Sequence, residues 1–251
     1  MSAVDPPVPA SRTRVPCNTD SAATSVLETV SFVTPALELF LVQSVAEQLP
    51  ARVDLRERCR DFVRDESKHR RMHMLLNARL MEALAAAPRG LARAEWVLER
   101  AKDRLSPQNR LRLVAAFEHL TGILSKRYLM RPASWDRSGE SVQAVFDLHA
   151  RDELEHRAVA FDLCVEIGAA DRFGRSLALL AAVTGAALYV GVAAPSILCE
   201  KTGRGFLSCL FQVLRLAGSR IREARSLSGE LMQFARAGFH PRSLVQETDP
   251  T

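Results

Sequence analysis

Apolar and polar residues along this chain seldom alternate with the two-residue period that is typical of strands. Leucine, alanine, arginine and glutamate dominate instead, and all four favour helix. Proline and glycine divide the sequence into separate helical stretches. The pattern therefore predicts an all-α protein with helices at about 25–49, 54–87, 91–105, 107–130, 140–167, 171–199 and 205–237.

Several helix ends carry local signals. Ser25 and Glu28 have the spacing of a capping box, which predicts a helix start there, and Pro35 offers an alternative start. Pro107 stands at the first position of another helix, and Gly168 follows the last residue of the fifth. Residues 1–24 contain four prolines and no apolar run, which predicts a disordered leader rather than a secretory signal.

Composition narrows the class of protein. Hydrophobic residues make up 47% of 251, enough for a sizeable core. The net charge is +5, but arginines alternate with acids across 52–71, which is typical of a solvated helix face. Aromatic residues are only 6%, so we expect no nucleic-acid partner. Five widely spaced cysteines without a C-x-x-C motif argue against a disulfide framework and favour a cytoplasmic protein.

The stretch 176–199 has no charged side chain and is long enough to span a bilayer. It is rich in alanine and glycine, and Pro195 interrupts it. Three interpretations remain open: a core or homodimer-interface helix, a membrane-contacting helix, and a true span. Basic residues flank both ends, so the positive-inside rule gives no orientation.

The candidate chemistry lies in a repeated arrangement of glutamate and histidine. A dimetal site in a four-helix bundle takes one Glu from each of two helices and a Glu-x-x-His from each of two others, because positions i and i+3 share a helix face. The chain supplies these elements twice in the same order: Glu38 then Glu66 and His69, and Glu118 then Glu153 and His156. Carboxylates and imidazoles together suit two divalent metal ions.

Each Glu-x-x-His pair has a further histidine on its own helix face. His73 follows His69 by one turn, and His149 precedes Glu153 by one turn. Both are either metal ligands or donors that orient a ligand, and the sequence leaves this open. Glu47 is an alternative to Glu38.

Other polar residues lie next to these stripes. Asp152 and Glu155 flank the fourth-helix stripe, where they would orient a histidine, act as general bases or face water. His119 is expected to point away from the site because it is adjacent to Glu118. Glu28 is better explained as a helix cap than as a ligand.

At these residues the chain resembles a bacterial family of predicted metal-dependent hydrolases within the ferritin-like group. The resemblance covers about 30–245 and lies in six stretches: Pro35-Ala-Leu-Glu38, Glu66-Ser-Lys-His69-Arg-Arg-Met-His73 with Asn77, Phe117-Glu118-His119-Leu-Thr121, Leu148-His149-Ala-Arg-Asp152-Glu153-Leu-Glu155-His156, Val159-Ala-Phe-Asp162, and Phe239-His240-Pro241. Two positions differ from the family pattern, since Leu148 replaces an aromatic residue and Asp152 replaces a glutamate.

The bundle pattern and the resemblance together give the expected organisation. We expect a ferritin-like four-helix bundle over 25–170, additional C-terminal helices packed on it over 171–240, and a tail over 241–251.

For function, two ions in such a bundle resemble di-iron or di-manganese centres. We therefore expect a non-haem di-iron enzyme, with manganese as the alternative metal, that uses dioxygen to oxidise a small, partly hydrophobic substrate. Hydrolysis by a dimetal-activated water is the alternative, with Asp152 or Glu155 as the base. Metal storage and membrane-associated binding through 176–199 are further alternatives.

Overall fold

The computed structural model describes residues 22–48, 50–130, 140–219 and 221–244. Within these ranges the chain contains helices and no strand, so the predicted all-α class is confirmed. The α-helices are α1 (Ala22–Ala46), α2 (Val53–Met81), α3 (Leu91–Arg104), α4 (Pro107–Leu129), α5 (Glu140–Glu166), α6 (Arg172–Thr202), α7 (Phe206–Ser219) and α8 (Ile221–Gln233), and a short 3-10 helix (Pro241–Leu244) follows them.

Four of these helices form a bundle around one core. The most extensive contacts join α1 to α2 and α4 to α5, and α2 also packs on α5 while α1 packs on α4. Each helix contributes fully or almost fully buried side chains to the core, among them Phe40, Phe62, Leu111 and Leu163. Burying one such side chain contributes about 1.5–3 kcal/mol, so apolar packing holds the four helices together. The ferritin-like connectivity stays a prediction.

The α4–α5 seam is especially close at Gly122. A Cβ atom there would lie 3.2 Å from Cδ of Arg157 and 3.4 Å from the carbonyl oxygen of Glu153. Because a side chain at this position would press on α5 beside Glu153, the glycine allows the two helices to approach closely.

The C-terminal helices pack onto the bundle. Helix α6 contacts both α1 and α4, and Phe234, just after α8, is fully buried in the bundle core. Asp162 on α5 accepts hydrogen bonds from Arg58 at 2.6 Å, from His240 at 2.8 Å and from Arg242 at 3.3 Å. This carboxylate therefore fastens the last described segment to α2 and α5. The division of the chain into domains stays a prediction.

One face of α6 is apolar and exposed. Only 28% of its most apolar window is buried, and its exposed side chains include Phe173, Leu177, Leu180, Leu188 and Val192. Helices α1 and α6 are long and apolar enough to cross a membrane, a test that core helices of soluble proteins also pass. Most of α6 is thus not a core helix, and its contact with a second copy or with a membrane stays a prediction.

The structure corrects both predicted starts of the first helix. Helix α1 begins at Ala22, so Pro35 lies inside it and the predicted leader overlaps its first turn. The capping box is wrong, because Ser25 and Glu28 are buried within the helix and Glu28 pairs with Lys201 from α6. The rest of the leader, residues 1–21, lies outside the described residues, as does the tail beyond 244.

Two further boundaries differ from the prediction. Helix α2 ends at Met81 rather than near 87, because α6 takes over the backbone donors beyond it: Glu200 accepts from the N–H of Ala85 and Ser196 from that of Arg89. The predicted helix over 205–237 is two helices, α7 and α8.

Candidate metal centre

All eight sequence-predicted ligands point into the interior of the bundle. They come from all four helices: Glu38 from α1, Glu66, His69 and His73 from α2, Glu118 from α4, and His149, Glu153 and His156 from α5. Seven are buried, and the side chain of His149 is 13% exposed. Spacings of three and four residues place the donors of one helix on its inner face.

The donor atoms fall into two groups. The ligand atoms of Glu66, His69, Glu153 and His156 lie within 4.8 Å of one another, and so do those of Glu38, His73 and His149. The Glu66–His69 pair of α2 therefore faces the Glu153–His156 pair of α5 where the two helices pack together.

Glu66 lies at the centre of the first group. Its Oε1 atom is 2.5 Å from Nδ1 of His156 and 3.6 Å from Nδ1 of His69. Burial alone would raise the pKa of Glu66, but the two imidazoles outweigh it and lower that pKa to about 2. In return the pKa of His69 is raised to about 9, and that of His156 is also raised, although burial opposes both.

Unpaired buried atoms provide the test of whether a metal fits. The following buried atoms make no hydrogen bond of acceptable geometry among the described residues, although Oε1 of Glu66 lies close to both imidazoles: both carboxylate oxygens of Glu38, Glu66 and Glu118, and Nδ1 of His69 and His156. Leaving one such buried polar group unsatisfied costs about 1–3 kcal/mol. Divalent cations would satisfy them together, because oxygen and imidazole nitrogen are their usual ligands. The donor set therefore fits two metal ions, whereas binding by these residues stays a prediction.

Glu118 and Glu38 complete the acidic side of the site. Burial raises the pKa of both carboxyls well above the ordinary value, and neighbouring glutamates raise it further. Glu118 belongs to neither donor group, yet the charges of Glu153, Glu66 and Glu38 all act on it. Without a cation these carboxylates would repel one another, so the site is built for positive charge.

Hydrogen bonds from outside the donor groups orient the ligands. Asp152 Oδ2 lies 2.8 Å from Nε2 of His69, and the hydroxyl of Thr121 donates to Oε2 of Glu153 at 2.7 Å. A carboxylate on Nε2 leaves the Nδ1 lone pair of His69 facing Glu66 and the site. The side chain of Asp152 is 35% exposed, so it lies where the site meets solvent.

A second hydrogen-bond network joins Glu153 through His149 and His73 to Ser31 on α1. Nε2 of His73 is 2.8 Å from Nδ1 of His149, and Nε2 of His149 is 2.7 Å from Oε1 of Glu153. Nδ1 of His73 is 2.9 Å from the hydroxyl of Ser31, which donates to Asn77 Oδ1 at 2.7 Å.

Sequence reasoning gave no role to Ser31 or Thr121. Thr121 stands one turn after Glu118 in the same helix, which was an available signal. Ser31 is one of many serines, and only the packing of α1 on α2 brings it to His73.

Other residues from the sequence analysis lie away from the donors. Glu47 is not an alternative to Glu38, because it pairs with Lys102 at 2.5 Å and Arg110 at 2.6 Å. His119 points away as expected: its ring stacks on Phe234, and its Nε2 lies 3.2 Å from the carbonyl oxygen of Glu230. The side chain of Glu155 lies outside the described part of the chain.

Comparison with known proteins gives one match. A family model described as "predicted metal-dependent hydrolase" matches residues 5–244. No match was found among the curated proteins or the solved structures.

Proposed function

The chain belongs to the family of predicted metal-dependent hydrolases, and we propose that it hydrolyses a small, partly hydrophobic substrate with two divalent metal ions. The observation that carries this proposal is the cluster of buried carboxylate and imidazole atoms that have no hydrogen-bond partner. The family description favours hydrolysis over the oxidation that the sequence pattern suggested.

Two sets of residues would hold the metals. Glu66, His69, Glu153 and His156 would form one set, and Glu38 would form the other with Glu118 and one of the two histidines in its own donor group. When bound, two such ions lower the pKa of a water molecule and polarise the substrate oxygen. The apolar residues of the bundle core would exclude other water from the site.

Asp152 is the candidate proton acceptor on the chain. Its Oδ2 atom accepts from Nε2 of His69, while its partial exposure gives it contact with solvent. The carboxylate would therefore hold His69 in position and pass a proton from the site to bulk water. Asp152→Asn can still accept from Nε2–H of His69 through its amide oxygen but cannot take up a proton, so turnover should fall more than metal content.

The proposal is tested by measuring ester hydrolysis by the protein after it is loaded with a single known metal. Metal-free protein is loaded with zinc or manganese and assayed on carboxylic and phosphoric esters with apolar groups. Glu66→Gln should abolish turnover and metal binding, whereas Glu47→Gln, at an ion pair away from the site, should keep both. Absence of hydrolysis for every ester and metal combination would contradict the proposal.

Dioxygen chemistry is a second candidate, because the donor set itself favours it. Four glutamates and two histidines on four helices, with two of the glutamates in Glu-x-x-His pairs, are the ligand set of redox di-iron and di-manganese bundles. If this function holds, anaerobic protein loaded with ferrous iron should consume oxygen and change its absorbance. An iron-loaded protein that consumes no oxygen, beside a zinc-loaded protein that cleaves esters, would exclude it.

A further inference from the structure

We propose that His149 is a metal ligand through Nε2 and that His73 is a positioning residue, whose tautomer is fixed by Ser31 and Asn77. This inference rests on the proposed metal site. The sequence left both histidines as either metal ligands or orienting donors, and the inference gives each of them one of these roles.

The starting point is the backbone carbonyl of Ser31. A carbonyl oxygen only accepts hydrogen bonds, and Nδ2 of Asn77 lies 2.9 Å from it. The amide of Asn77 must therefore present its NH₂ to this carbonyl. Its Oδ1 atom then faces the hydroxyl of Ser31 at 2.7 Å, and an amide oxygen can only accept.

The second step passes through the hydroxyl of Ser31. A hydroxyl has one hydrogen, and Asn77 receives it, so the same oxygen can only accept from Nδ1 of His73 at 2.9 Å. His73 thus carries its proton on Nδ1. Its ring is fully buried, and its two nitrogens meet a hydroxyl and another imidazole rather than a carboxylate, so the imidazole is neutral. Nε2 of His73 is consequently an unprotonated acceptor.

The third step fixes the tautomer of His149. Nε2 of His73 lies 2.8 Å from Nδ1 of His149, so this nitrogen must carry a hydrogen and donate it. In the neutral ring Nε2 then has a lone pair, which faces Oε1 of Glu153 at 2.7 Å. Two lone pairs at this distance repel unless a cation joins them, which is a proton on Nε2 in the metal-free protein and a metal ion in the loaded protein. A metal ion bound by both atoms meets that requirement.

The surroundings of His73 support the positioning role. Both of its ring nitrogens are engaged, one by Ser31 and the other by His149. Its ring also meets the ring of Phe146 edge-on, with centroids 5.3 Å apart. A histidine held on both nitrogens is suited to orient a neighbouring ligand through that ligand's second N–H.

Nitrogen-15 NMR of the histidine-labelled full chain tests the tautomers directly. Long-range proton–nitrogen correlations distinguish Nδ1–H from Nε2–H rings. In the metal-free wild type we expect His73 with its proton on Nδ1. On zinc loading, Nε2 of His149 should acquire the shift of a coordinated nitrogen, while both His73 nitrogens keep theirs. A zinc-induced coordination shift on His73, or His73 protonated on Nε2, would overturn the inference.

Variants separate positioning from general structural damage. Ser31→Ala and Asn77→Leu should each give mixed His73 tautomers and weaken zinc binding by about 10–100-fold, the usual effect of removing a group that orients a ligand. Ser31→Thr keeps the hydroxyl and should restore both readouts. Ser44→Ala is the matched control, since Ser44 is equally buried on α1 but has no hydrogen-bond partner among the described residues.

The outcomes also distinguish this inference from the proposed function. If Ser31→Ala retains the wild-type His73 tautomer and zinc affinity, the positioning role is wrong whatever the protein catalyses. If the tautomers and zinc shifts are as expected but no ester is cleaved, the positioning role holds and the hydrolase proposal fails.

Discussion

Metal loading should release protons from the site, so the apparent metal affinity should rise steeply with pH. His69 gives the clearest magnitude, because Glu66 and Asp152 outweigh burial and raise its pKa to about 9. A metal needs the lone pair that this proton occupies. A pH of 7 is two units below the pKa of His69, so deprotonating the ring at this pH costs about 2.7 kcal/mol, at 1.36 kcal/mol per unit. Binding should therefore be about a hundredfold weaker at pH 7 than at a pH well above 9, where the ring is fully deprotonated.

The same proton stabilises the metal-free protein. Because the folded pKa of His69 lies above the ordinary value of 6.5, its contribution is complete below pH 6.5 and is lost as the pH rises through about 9. The 2.5-unit difference sets an upper limit of about 3.4 kcal/mol on what His69 contributes to the free energy of unfolding. Urea unfolding of the metal-free chain should thus show a falling midpoint across this window.

The assay is calorimetric titration of zinc into metal-free protein at pH 6.5, 7.5 and 8.5, in two buffers of different ionisation enthalpy. The buffer dependence of the heat counts the protons released. Since the pKa of His156 is also raised, we expect more than one proton at pH 6.5. Asp152→Asn is the control, because without this charge His69 should release fewer protons. A proton count near zero, or an affinity constant from pH 6.5 to 8.5, would refute the reasoning.

Three further predictions concern the site and its scaffold. Glu38→Ala should lower the metal content measured by mass spectrometry, whereas Glu47→Ala should leave it unchanged, and equal losses would contradict the assignment. Gly122→Ala should lower the free energy of unfolding by about 1–3 kcal/mol through overpacking, whereas Gly191→Ala, with open space at its Cβ, should raise it by about 0.5–1 kcal/mol; urea titration compares them. Because α6 packs on α1 and α4, the chain should stay in solution during ultracentrifugation without detergent, and recovery only with membranes would contradict this.

Local signals in the sequence predicted much of the fold. The start of α4 is an example, because Ser106 accepts from the N–H of Asn109 and proline follows it at the first helical position. The boundary of α2 could not be predicted in this way. Its end depends on Glu200 and Ser196, which lie more than a hundred residues away in the chain. Ser25 and Glu28 failed for the same reason, since the contact with Lys201 replaces the local cap.

The donor residues of the site could be predicted because residues three or four positions apart lie on the same face of a helix. Glu66 with His69 and Glu153 with His156 needed only this rule. The roles of His73 and Ser31 needed the α1–α2 packing, which no local pattern encodes. Helical pattern alone also left Glu47 as an alternative to Glu38, and the ion pairs of Glu47 with Lys102 and Arg110 exclude it.

The attachment of the C-terminal segment to Asp162 has a consequence for how the chain folds as it is synthesised. His240 emerges 78 residues after Asp162, which at 5–20 residues per second is a delay of about 4–16 s. During that interval Arg58 is available to Asp162, but the aromatic residues that contact His119 and Phe161 are not yet made. The apolar surface around His119 and Phe161 therefore stays uncovered until residues 234–240 have been synthesised.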